Sequence, residues 1–79
     1  MKKKTVKEVP VDISGKLKDI GERVKTQRKK IANNYENFAA EHRINKVTVG
    51  RIENGENYKM DSLLRVLNAI GITLEDLLK

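Results

Sequence analysis

Seventy-nine residues suffice for one small domain and leave no room for a second. The chain is 38% hydrophobic and 35% charged, which fits a folded domain rather than a disordered one. It has no cysteine and a single histidine, His42, which excludes disulfides, cysteine–zinc sites, thiol catalysis and a histidine-rich metal centre, so no metal or cofactor is expected.

A chain this short buries only about 60–65% of its unfolded surface. That leaves little room for a substrate pocket, and an enzyme is not expected. No apolar run approaches the ~18 residues of a membrane span. Met1 and its three lysines precede no apolar stretch, so they are not read as a signal peptide. A soluble, cytoplasmic chain without a membrane partner is expected. The net charge of +6 is uneven: residues 1–52 carry 14 basic and 6 acidic side chains, residues 53–79 carry 3 and 5. A basic portion joined to a mildly acidic one suggests one face for a polyanion and another for something else.

Residues 1–15 read as a basic arm, with Lys2, Lys3, Lys4 and Lys7 among Val6, Val9, Val11 and Ile13. Pro10 opposes a helix there, so the arm is either disordered or a short edge strand. Residues 16–79 form the domain. Leu17, Ile20, Val24, Arg28 and Ile31 share one 3.6-residue stripe, which predicts an amphipathic helix over about 16–31. Gly21 within it suits close helix packing. Lys29 and Lys30 form either a solvated helix end or a phosphate contact.

Asn34 is placed to cap a second helix running to about His42, with Phe38 and Ala39 inward. Arg43, Ile44 and Asn45 make a turn, and Asn45 caps a third helix over 46–53 with Val49 and Ile52 inward. Asn54-Gly55 ends it. A fourth helix covers about 60–70 on Leu63, Leu64, Val66, Leu67 and Ile70, stopped by Gly71. Thr73 caps a last short helix carrying Leu74, Leu77 and Leu78.

The expected fold is therefore all-α, five short helices, with a helix-turn-helix unit over about 35–54. Ala39 supplies the small residue the helix contact needs, and Ile44 anchors the turn. With Val49 and Ile52 inside, Lys46, Val47, Gly50 and Arg51 are left outward and Thr48 lies at the border. Gly50 either lets the helix approach a groove or is simply tolerated.

The segments IGERVKTQR, NYENFAAEHRINKVTVGRIENG and SLLRVLNAIGITLEDLL, spanning residues 20–79, resemble Cro/lambda-repressor-type (XRE) helix-turn-helix domains. The resemblance implies a five-helix lambda-repressor-like domain that binds double-stranded DNA. Arg28 and Glu53 match the arginine and glutamate of an internal ion pair. Lys46, Val47 and Arg51 match positions that reach base edges, and Thr48 and Gly50 share that helix. Asn54 matches a phosphate-contacting asparagine. Asn34, Tyr35, Arg43, Tyr58 and Lys59 are the remaining candidates for the DNA backbone.

Three features depart from the family pattern. Tyr35 stands where a bracing, phosphate-contacting glutamine is usual, Arg43 where the turn has glycine, and Tyr58-Lys59 where a proline precedes the fourth helix.

The expected function is a sequence-specific DNA-binding transcriptional regulator, a repressor of bacterial or phage origin, cytoplasmic and nucleoid-associated. It would bind a palindromic operator as a homodimer, since Leu74, Leu77, Leu78 and parts of the fourth helix offer more apolar surface than a monomer hides. No ligand-binding domain is read after the DNA-binding unit, so control is expected through concentration or a partner. The alternatives are an antitoxin that binds a toxin protein, and a restriction-system controller. One Phe and two Tyr are too few for base-stacking platforms, which weakens an RNA-binding reading.

Overall fold

The computed structural model describes residues 12–79, and the readings made of the arm before Asp12 fall outside them. All regular structure among the described residues is helical: α1 (Ile13–Lys29), α2 (Tyr35–Glu41), α3 (Lys46–Glu53), α4 (Met60–Ile70) and α5 (Leu74–Leu78). Local chemistry explains most of the boundaries. Asn34 Oδ1 accepts from the amides of Glu36 and Asn37 at 2.7 and 3.2 Å. Asn45 Oδ1 does the same for Val47 and Thr48 at 2.8 and 3.3 Å. Thr73 accepts from the Asp76 amide at 3.0 Å. Each cap satisfies amides the helix itself cannot, and contributes roughly 1 kcal/mol. Gly71 ends α4 in the left-handed region, φ 94°, where a side chain would be strained.

α1 differs from its expected span at both ends. It begins at Ile13 because Asp12 caps it, its Oδ1 accepting from the Gly15 amide at 2.9 Å, so residues 13–15 belong to the helix and not to an arm. It ends at Lys29 because the amides of both Ile31 and Ala32 turn back to the Arg28 carbonyl, at 3.0 and 2.9 Å. Ile31 is thereby carried off the apolar stripe and is exposed, and Ala32 packs against the core in its place. Leu17 is only half-buried. Leu64, read as part of the inner face of α4, is also exposed, because α4 meets the domain along the narrower line of Leu63, Val66 and Leu67.

The core joins Val24 of α1, Phe38 and Ala39 of α2, Val49 and Ile52 of α3, Leu63, Val66 and Leu67 of α4, and Leu77 of α5. α1 and α3 make the most extensive helix–helix contact. Gly21 is the reason they can approach: a Cβ there would collide with the carbonyl oxygens of Ile52 and Glu53, main-chain atoms that move only if the helices part. Two residues on, Arg23 reaches the other way. Its Nη1 donates to the carbonyls of Leu77 and Lys79, both at 2.8 Å, and fastens the end of α5 to α1. A cation at the carbonyl end of a helix is also favoured by the helix dipole.

Gly21→Ala gains roughly 1 kcal/mol of helix propensity but forces overpacking that typically costs 1–3 kcal/mol. The expected outcome in urea unfolding is a net loss of stability. A variant as stable as the parent would contradict the close approach of α1 and α3.

Candidate nucleic-acid interface

α3 has only eight residues and could not persist as an isolated helix. Its position comes from what it buries and from one ion pair. Val49 and Ile52 are fully buried. Glu53, the last residue of α3, accepts two hydrogen bonds from Arg28 of α1: Nε to Oε2 at 2.9 Å and Nη2 to Oε1 at 2.7 Å. The third donor, Nη1, goes to the Ala32 carbonyl at 2.9 Å, just before α2. One guanidinium thus ties α1, the loop leading to α2 and the end of α3 together. Both side chains are buried, at 3% and 6% exposure. The hydrogen bonds to Glu53 hold the Arg28 guanidinium above its ordinary range, outweighing the loss of hydration, so it stays charged across the accessible pH range.

At 100° per residue, a helix with Val49 and Ile52 inward presents Val47 at the crown of its outer face. Val47 is 56% exposed. Lys46 and Gly50 fall on the flank toward α2. There the Lys46 ammonium stands 3.6 Å from the Glu36 carboxylate, and the Tyr35 ring covers Gly50. Thr48 and Arg51 fall on the other flank, where they line an open cleft with Asn57, Tyr58, Lys59 and Ser62. Arg51 is exposed and has no ion pair with another described residue. Burial pushes the Tyr58 phenol above its usual range, so at neutral pH it is a neutral hydrogen-bond donor.

The other candidate residues lie at the ends of α2, α3 and α4 and in the turns between them. Asn54 is the exposed C-cap of α3 and borders a cleft shared with Lys18 and Lys25 of α1. Those two lysines were invisible to sequence reasoning as neighbours of Asn54, because they fall off the apolar stripe of α1 like any solvated charge. Asn34 keeps only its amide nitrogen for an outside acceptor, since its oxygen is engaged in capping α2. Arg43 occupies the left-handed region at φ 56°, a conformation that favours glycine. That geometry costs an L-residue roughly 1–2 kcal/mol. It leaves Arg43 exposed, and the Ile44 amide still closes the turn on the Ala39 carbonyl at 2.8 Å. Lys59 is the N-cap of α4 and supplies no side-chain acceptor. His42 is exposed and packs against Phe38, ring centroids 4.8 Å apart. Among the described residues no His, Asp or Glu group is arranged to hold a metal ion, and no helix is long and apolar enough to cross a membrane.

Truncating Glu53 to alanine leaves the guanidinium buried with a single carbonyl partner. The expected cost is about 3–5 kcal/mol, measured by chemical unfolding. A loss below about 1 kcal/mol would show that water replaces the carboxylate, and that the pair does not fix α3.

Family models, curated proteins and solved structures were each compared with this chain, and none matches it.

Proposed function

We propose that this domain is a sequence-specific DNA-binding transcriptional regulator, a repressor, that places α3 in the major groove of a palindromic operator as a homodimer. The observation that carries the reading is the division of α3: one side is fully buried and clamped by a charged pair, while the other presents Lys46, Val47 and Arg51 exposed to solvent. A rigid helix with polar tips is the form that reads base edges. Arg51 is the strongest candidate for bidentate contact with guanine, and Val47 at the crown suits a thymine methyl. Lys46 and Thr48 complete the reading set. Tyr58 and Lys59 beside α3, Asn54 at its C-cap, and Asn34 and Arg43 in the turns bounding α2 supply hydrogen-bond donors for phosphates.

The +6 charge supplies the sequence-independent part of the affinity and makes binding fall steeply with salt. The dimer is supported by apolar surface that the domain leaves uncovered: Met60 and Leu64, one turn apart on α4, and Leu78 are 58%, 45% and 53% exposed. A two-fold pair would present two α3 helices about 34 Å apart.

Selection against a randomised duplex pool at near-physiological salt tests the reading. Enrichment of a palindrome is expected. Bulk, salt-sensitive binding without a motif would overturn it, and would shift attention to a protein partner such as a toxin. With a motif in hand, Arg51→Ala is expected to relax preference at one base position, by about 1–3 kcal/mol, and Asn54→Ala to weaken all sites alike. An unchanged motif for the first variant, or a sequence-selective effect of the second, would reverse those assignments.

A further inference from the structure

Position 50 lies on the outer face of α3, between the crown at Val47 and the flank toward α2, yet it carries no side chain. Glycine is the poorest helix former after proline, and here it sits inside a helix of eight residues. The space it vacates is filled. A Cβ placed on Gly50 would stand 3.4 Å from Tyr35 Cε2, 3.8 Å from Cζ and 3.9 Å from the hydroxyl oxygen. The ring is therefore in van der Waals contact with the position, and its hydroxyl lies no farther from that Cβ than a long side chain at position 50 could reach. Tyr35 remains 38% exposed, so it covers the helix while still facing outward.

The neighbouring charge bears on what the hydroxyl meets. Glu36, next in the chain, holds its carboxylate 3.6 Å from the Lys46 ammonium on the same flank. Glu36 offsets the Lys46 charge, so this flank offers a phosphate little net attraction, whereas an uncharged base edge needs none. A phenol both donates and accepts, so it can hydrogen-bond to purine N7, guanine O6 or thymine O4, or accept from an exocyclic amine.

We infer that Tyr35 supplies the side chain that α3 lacks at Gly50: it is a base-reading residue, contributed by α2, for the base pair that faces position 50. This rests on the reading of the domain as an operator-binding regulator. It differs from the backbone contact expected of position 35, because it assigns Tyr35 to sequence preference rather than to overall affinity.

The test compares the parent protein, Tyr35→Phe and Gly50→Gln in the same randomised-duplex selection, with titrations on the selected site and its single-base variants. Tyr35→Phe keeps the ring and its packing, and a thermal melt verifies that it folds. It is expected to lose preference at one base pair by about 2- to 12-fold, the worth of one hydrogen bond, with other positions unchanged. Gly50→Gln puts a side chain into the space the ring fills, so it displaces the phenol tip, and is expected to alter preference at that same base pair. A Tyr35→Phe motif identical to the parent's with uniformly weaker binding would make Tyr35 a backbone contact and overturn the inference. So would two variants that change different base pairs. If the parent itself selects no motif, the regulator reading falls and this inference with it. A parent motif untouched by Tyr35→Phe overturns the inference alone.

Discussion

The arrangement depends on a buried guanidinium. Arg28 directs its three nitrogens at three acceptor atoms, the two carboxylate oxygens of Glu53 and the Ala32 carbonyl, which lie on two different parts of the chain. Such a pair is a poor source of net stability, because two charges must be stripped of water to form it. Its effect is geometric. A planar fork that binds a carboxylate through two bonds fixes orientation as well as distance. With Glu53 held this way, the end of α3 cannot rotate, and Val49 and Ile52 fix the other side. Gly21 then permits the last carbonyls of α3 to lie directly on α1. A helix of eight residues, marginal by itself, thus acquires the rigidity of a core element.

Rigidity on one side frees the other to be purely chemical. The outer face of α3 is partitioned by its neighbours: α2 closes one flank with Tyr35 and Glu36, and the loop before α4 closes the other with Asn57, Tyr58 and Lys59. Val47 stands alone between them. On the proposed reading, these flanks decide as much as the helix does, since a base edge meets a surface assembled from three elements.

Most of the fold was legible in the sequence because its signals are local. Asn34, Asn45 and Thr73 are capping residues whose partners lie two or three positions on, and Gly71 requires no knowledge of the rest of the chain. Periodicity located Phe38, Val49, Ile52 and Leu63 correctly. It failed for Ile31 and Leu64, since a stripe gives the direction of the core but not its width, nor where the helix stops. The Arg28–Glu53 pairing came from family resemblance alone, for a separation of 25 residues carries no physical signal by itself. The contacts of Arg23 with the end of α5 and of Tyr35 with Gly50 were not legible at all. Both are long-range, and both involve residues that sequence patterns assign to solvent.

These last contacts share a cause. In a domain of this size the core is too small to enclose every element, so helix ends and helix faces are completed by side chains reaching across the surface. Arg23 completes the carbonyl end of α5, Arg28 the space between α1 and α3, and Tyr35 the bare face of Gly50. Each is a long or aromatic residue that carries a polar tip on a packing stem or ring. The tip of Arg23 meets backbone and that of Arg28 meets a carboxylate. The Tyr35 hydroxyl has no hydrogen-bond partner among the described residues and stands at the surface. A polar tip held by packing on a rigid helix, with no internal partner, is preorganised for an external one, and forming that bond would order no further side chain.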